Sequence, residues 1–171
     1  MSTFDEVFAI MQASFPLDEY RPCDEQRALL ADARYRLHTI TENGHAVAFA
    51  ATWDFDTFLF VEHLAVAPQC RNRGLGAALL ARLQAEHPCR LCLEVELPQD
   101  DLSRRRIGFY ERCGFTFNEY PYTQPPITRG RQPVPLRLMS TNGALMPDEF
   151  TAVRDTLYKE VYHVTKSDTF A

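Results

Sequence analysis

FLFVEHLAVAPQCRNRGLG, residues 58–76, is the stretch on which the reading of this chain turns. Its first ten residues, Phe58 to Ala67, are apolar except for Glu62 and His63, as in a central strand buried on both faces. Pro68 ends the strand, and a polar loop leads to Gly74 and Gly76. Leu75, Leu79, Leu80 and Leu83 then form the inner face of a helix that reaches about His87. Glycines there let the backbone approach a ligand, and the free N–H groups of the first helical turn point outward at the positive end of the helix dipole. Such a turn suits a pyrophosphate.

Upstream, Phe4, Val7, Phe8 and Met11 recur at helical steps, and a second helix is expected from about Asp24 to Ala33. Two extended runs, Tyr35 to Thr41 and Ala46 to Trp53, flank the Asn43-Gly44 pair of a hairpin. Downstream, Leu91, Leu93, Val95 and Leu97 alternate with Cys92, Glu94 and Glu96, as in a strand. A helix follows from about Asp101 to Cys113, with Gly114 where a helix C-terminal glycine belongs. Phe115 to Asn118 and Val134 to Ser140 read as late strands around a proline-rich loop, and a last helix spans about 147–165. The order predicts an α/β fold: a mixed sheet of about six strands flanked by helices, with an extra C-terminal helix, in one domain over 1–171.

Composition narrows the function. In 171 residues, 46% hydrophobic and 24% charged, no apolar run approaches the ~20 residues of a membrane span. Asp5 and Glu6 stand where a signal peptide carries positive charge, so a cytoplasmic protein without membrane contact is expected. There are sixteen arginines and only two lysines, Lys159 and Lys166, which argues against phosphate-loop and Schiff-base lysine chemistry. A net charge of -5 argues against nucleic acid as the partner. Five cysteines fit reduced thiols, and the Cys89/Cys92 pair lacks the second pair of a zinc site, so no metal is expected.

Two ligand classes compete for the glycine turn, beside a turn that serves only tight packing. A dinucleotide fingerprint asks for a third small residue, where this chain has Leu79, and for a first βαβ unit, where the pattern reads antiparallel. The stretch Arg71-Asn72-Arg73-Gly74-Leu75-Gly76 instead resembles the acyl-CoA pyrophosphate motif of the GNAT superfamily of acetyl-CoA-dependent N-acetyltransferases. Leu64 to Pro68 looks like that family's fourth strand, and Phe109 to Phe115, FYERCGF, resembles its second motif. The resemblance covers about Phe58 to Phe115. The usual first edge strand is expected to be missing.

The resemblance implies a sheet that splays beside the fourth strand, with acetyl-CoA as co-substrate and an amine acceptor. Backbone groups around Leu64, Ala65 and Val66 would meet pantetheine, and amides of Arg71, Asn72, Arg73, Gly74, Leu75, Gly76 and Ala77 the pyrophosphate. Ser103 stands where the family often has a pantetheine-binding Asn; its hydroxyl would bond there or cap the helix. Tyr110 would protonate the departing thiolate. Glu62, inside an apolar strand and on the face of Leu64, is the expected base, its pKa raised by burial, unless an arginine pairs with it. Glu94 and Glu96 are alternative bases, and His63, pointing away from Glu62, reads as a hydrogen-bonded core residue. Arg104 to Arg106 would reach the CoA phosphates or form a solvated face. Six acids and one base among residues 1–26 suit a cationic acceptor or a solvated face. The last helix caps the cleft or packs on a partner, as in a homodimer. A non-catalytic acyl-CoA-binding module of the same fold is the alternative function.

Overall fold

The computed structural model describes residues 3–164; Lys166 and the expected end of the last helix at 165 lie outside the described residues. The chain divides into two units, Met1–Leu91 and Cys92–Ala171.

In the first unit, α1 (Thr3–Ser14) and the short α2 (Cys23–Ala28) precede three antiparallel strands, β1 (Tyr35–Glu42), β2 (His45–Asp54) and β3 (Phe58–Val66). The β1–β2 turn is formed by Asn43 and Gly44, both with positive φ, as a two-residue hairpin demands. Eight consecutive residues of β2 are buried, so both of its faces are covered; α1 and α3 (Leu75–Glu86) are the helices packed on it. Among the described residues no strand precedes α1. The second helix is shorter than expected and gives way to a 3-10 turn at Leu29–Ala31.

β3 departs from simple alternation. His63 pairs with Ala51 and Val61 with Thr52, which leaves Glu62 as the extra residue of a β-bulge. A bulge re-aims side chains, and it decides the surroundings of Glu62 below.

The second unit is built on β7 (Val134–Ser140). β4 (Arg90–Glu96, which starts in the first unit) pairs with one edge of β7, and β5 (Thr116–Phe117) and β6 (Tyr122–Gln124) pair with the other, all antiparallel. The described strands thus number seven, with β6 arising inside the loop read from the sequence as proline-rich connection. Asn118 ties this region together: its Nδ2 donates to the Leu138 carbonyl and to Ser140 Oγ, and its Oδ1 accepts from the Leu145 N–H at 2.8 Å. α4 (Asp101–Arg112) lies between β4 and β5 in the chain, and α5 (Pro147–Thr156) runs into a π-helical turn at Leu157–Val161.

Candidate functional site

The glycine turn forms as the sequence predicts. A 3-10 turn at Pro68–Cys70 follows β3, and Gly74 caps α3 in the left-handed region at φ +75°. A Cβ at Gly74 would meet nothing within 4 Å, so glycine is required by conformation and not by crowding. No side chain caps the helix, and the segment Arg71 to Gly74 is exposed. The turn therefore presents N–H groups of the first turn of α3 for an anion. The two arginines beside it are engaged: Arg71 Nε donates to the Val66 carbonyl at 3.2 Å, and Arg73 makes two bonds to Glu42, at 2.6 and 3.0 Å. Leu64, Ala65 and Val66 continue β3 opposite Ala50, Phe49 and Ala48.

Glu62 is not the free carboxyl expected of a base. Its side chain is 2% exposed and its Oε1 accepts from Arg21 at 2.8 Å, while Oε2 accepts from Trp53 Nε1 at 3.1 Å. Burial pushes its pKa up, but the Arg21 charge and the hydrogen bonds donated by Trp53 and Arg21 outweigh burial and hold it below the ordinary value. The expected raised pKa is thus corrected: its arginine partner lies 41 residues away in sequence. The bulge also corrects the expected direction of His63. Its ring lies with Nδ1 3.8 Å from Glu62, its Nε2 donates to the Glu19 carbonyl at 2.7 Å, and Phe15 packs on it edge-on. Burial lowers the His63 pKa and keeps the imidazole neutral. Of the N-terminal acids, Asp5 is taken up by Arg27 and Glu6 by His45 and the Ala46 N–H.

In the second unit, α4 opens on a reciprocal cap. Ser103 N–H donates to Asp100 Oδ1 at 2.7 Å, Asp100 N–H donates to Ser103 Oγ, and that hydroxyl donates to the Asp100 carbonyl. Ser103, 2% exposed, caps the helix, the second of the two roles expected for its hydroxyl. The helix closes at Gly114, φ +93°, where Gly114 N–H bonds the Glu111 carbonyl and Phe115 N–H the Tyr110 carbonyl. That pair of bonds is a Schellman cap, so the Gly-Phe exit of the second motif clamps the backbone of Tyr110. The Tyr110 ring packs between Phe109 and Phe115, and burial pushes its pKa up to about 12 against the nearby Arg106 charge. At neutral pH the phenol keeps its proton and can donate it.

Glu94 and Glu96 follow different courses. Glu96 pairs with Arg106 at 2.8 Å, whereas Arg104 reaches only Asp101 on its own helix. Glu94 Oε1 accepts a hydrogen bond from the Tyr162 hydroxyl. Sequence reasoning missed Tyr162, which lies 68 residues away on the segment after α5, where only an apolar stripe was legible. Among the described residues no group of three or more His, Cys, Asp or Glu could hold a metal ion, and no helix is long and apolar enough to cross a membrane.

The first unit thus supplies a strand followed by an exposed turn and an uncapped helix, and the second a helix closed by a glycine-phenylalanine cap, within an α/β fold. The chain belongs to the Acetyltransferase (GNAT) family, whose model matches residues 4–115. It is 34% identical over 103 residues to "Putative acetyltransferase YjbC" of Bacillus subtilis (strain 168), a match spanning 59% of this chain and 52%, about half, of that relative. Among solved structures it is similar to a "Putative acetyltransferase from GNAT family" from Bacteroides thetaiotaomicron, at 32% identity and a TM-score of 0.87 over 95% of this chain and 93% of that one. The fold also matches an aminoglycoside 6'-N-acetyltransferase complexed with coenzyme A, at 16% identity and a TM-score of 0.58, covering 81% and 89% of the two chains. The fold class read from the sequence holds, and family membership replaces the dinucleotide alternative.

Proposed function

We propose that this chain is a single N-acetyltransferase domain that moves an acetyl group from acetyl-CoA to a primary amine. The observation that carries the reading is the exposed turn at Arg71 to Gly74, with Gly74 left-handed and α3 uncapped. That turn fits the donor's pyrophosphate through backbone amides, with the backbone of Leu64 to Val66 assigned to the pantetheine arm. Arg71 and Arg73 supply positive charge near the turn, Arg73 by exchanging Glu42 for phosphate.

Acetyl-CoA supplies an acetyl thioester, whose C–S bond breaks as the C–N bond to the acceptor forms, leaving the CoA thiol, the acetylated amine and one proton. Tyr110 holds a proton on its hydroxyl for the sulfur that leaves. The acceptor's ammonium must first lose a proton. Glu62 is sealed in an ion pair, so we assign this role to Glu94.

Thermal stabilisation by acetyl-CoA, compared with NAD, tests the donor. An amine panel comprising a polyamine, an aminoglycoside and a peptide with a free N-terminus, read with a thiol reagent, tests transfer. Stabilisation by acetyl-CoA together with thiol release on one of these amines is expected. Stabilisation by NAD alone would overturn the reading, and stabilisation by acetyl-CoA without thiol release across the panel would favour a binding module. Tyr110→Phe is expected to keep acetyl-CoA affinity and lose on the order of 10²-fold in kcat; unchanged turnover would remove Tyr110 as the acid.

A further inference from the structure

The segment after α5 has no place in the family's matched region, which ends at residue 115. It is nevertheless built into the second unit with unusual care. The π-helical turn at Leu157–Val161 is closed by the Tyr162 N–H on the Leu157 carbonyl at 3.1 Å. Its apolar residues Leu157 and Val161 are buried, and its two tyrosines, Tyr158 and Tyr162, four residues apart, spend their hydroxyls differently. Tyr158 donates to the carbonyl of Thr123 on β6, a backbone anchor. Tyr162, 6% exposed, donates to the carboxylate of Glu94. π-Helical turns cost hydrogen-bond geometry and are frequent at functional sites.

The sheet places Glu94 for this contact. Glu94 lies opposite Leu138 on β7 and Glu96 opposite Leu136, and Tyr122 of β6 lies opposite Leu136 on the other edge. Because side chains two residues apart share a face, Glu94, Glu96 and Tyr122 project from the same side of this sheet. Tyr122, 3% exposed, is held protonated by burial and then by the negative charge of Glu94. Glu94 therefore meets phenols from β6 and from the C-terminal segment. Of the charged groups of α5, Arg154 acts on Tyr122 and Tyr158 and Asp155 on Tyr158, and Glu96 lies two residues from Glu94 on β4.

We propose that the C-terminal segment is part of the reaction centre: Tyr162 is a positioning residue that fixes the Glu94 carboxylate, by a donated hydrogen bond, as the acceptor of the amine's proton. The proton balance is that of the transfer itself. The ammonium gives a proton to Glu94, Glu94 releases it to water, and the phenol of Tyr162 keeps its own. The inference rests on the transferase reading for the role of Glu94, but the contact from Tyr162 has a test of its own. A phenol donating to a carboxylate favours its ionised form, so its loss moves the carboxyl titration to higher pH.

Two measurements on each variant separate positioning from mere support. The first follows the Glu94 side-chain carboxyl by NMR in the free protein, assigned with Glu94→Gln. The second is the pH profile of kcat/KM with the best amine of the panel. Tyr162→Phe is expected to raise the carboxyl midpoint and the acidic limb of the profile together. On that limb it lowers kcat/KM roughly three- to tenfold, since one unit of pKa is tenfold. Acetyl-CoA affinity should hold. Tyr158→Phe, which removes only the anchor to Thr123, should lower stability and leave both midpoints in place. Incorporation of 3-fluorotyrosine at residue 162, which keeps the shape and makes a more acidic donor, should move both midpoints down, so the test stands even where the phenylalanine variant folds poorly. Superimposable carboxyl titrations for wild type, Tyr162→Phe and the fluorinated protein would overturn the proposal, as would equal shifts from Tyr158→Phe. A moved carboxyl titration with an unmoved kcat/KM limb would overturn it too, leaving a contact without a role. Absence of turnover in the wild type on every amine, by contrast, would strike the transferase reading while the carboxyl titration still decides the contact.

Discussion

Two glutamates, Glu62 on β3 and Glu94 on β4, sit in runs of apolar residues and look interchangeable in the sequence. Their surroundings are not. Glu62 faces a guanidinium, and with Arg21 forms an ion pair whose side chains are 6% and 2% exposed. Glu94 accepts a hydrogen bond from the Tyr162 phenol, a donor that carries no charge. A buried carboxylate beside a fixed cation stays ionised, because protonating it would leave the cation uncompensated in a medium that solvates it poorly. A phenol's hydrogen bond favours the carboxylate without placing a formal positive charge beside it. The partner, more than the strand, sets the electrostatics of each carboxylate.

The largest effect expected from this contrast is on stability. Glu62→Gln takes the carboxylate away from the buried Arg21 guanidinium and should cost about 3–5 kcal/mol in denaturant unfolding. Replacing both residues by methionine should recover most of that, since apolar packing substitutes well for a buried pair. Glu94→Gln should leave unfolding nearly unchanged and act on turnover instead. A Glu62→Gln protein of wild-type stability that has lost turnover would break the comparison and return the base to Glu62.

A second effect is on acid stability. His63 has a folded pKa below its ordinary 6.5, so the native state resists protonation more than the unfolded chain does. Its contribution is fully present above about 6.5 and is lost as pH falls through the folded pKa. Glu62 is likewise held below its ordinary 4.5, and its contribution is lost at still lower pH. Thermal unfolding should therefore weaken in two stages on acidification, and His63→Phe should remove the first. A melting temperature flat from pH 7 to pH 5 would show that the imidazole is not held neutral.

What the sequence made legible follows the range of the interactions. The hairpin at Asn43-Gly44, the turn at Gly74 and the exit at Gly114 are local: each needs a positive φ, and glycine or asparagine supplies it. The capping role of Ser103 is also local, three residues from Asp100. The bulge at Glu62 carries no glycine or proline to announce it, and the side chains of Glu62 and His63 come within 3.8 Å of each other there. Arg21 and Tyr162 find their glutamates across 41 and 68 residues, distances over which periodicity says nothing. β6 escaped notice because its three residues lie between prolines, paired with a strand that itself contains Pro135.

The glycine turn, which we assign to the donor, supplies a smaller effect, because that role would fall to the backbone. Gly74→Ala meets no steric obstacle, yet forces an L-residue to φ +75° and should cost roughly 1–2 kcal/mol. If the altered residue escapes that strain by rotating out of the left-handed region, the amides of α3 are re-aimed, and acetyl-CoA affinity should fall further than stability. Affinity that falls only in proportion to stability would mean that the turn keeps its shape.

The smallest effect comes from an ion pair made of the same residue types as Arg21 and Glu62 but in the opposite setting. Arg73 and Glu42 are half exposed and meet at 2.6 Å across the outside of the first unit. Water solvates both ions nearly as well apart as together, so Glu42→Gln should leave thermal stability unchanged. Its consequence lies in binding. With Glu42 neutral, Arg73 no longer exchanges one anion for another when a phosphate arrives, so acetyl-CoA affinity should rise slightly, and the gain should fade as salt screens the freed charge. An affinity that does not change at low salt would place Arg73 outside the reach of the donor's phosphates. The cradle would then consist of backbone alone, the one kind of site in this chain that needs no side-chain partner.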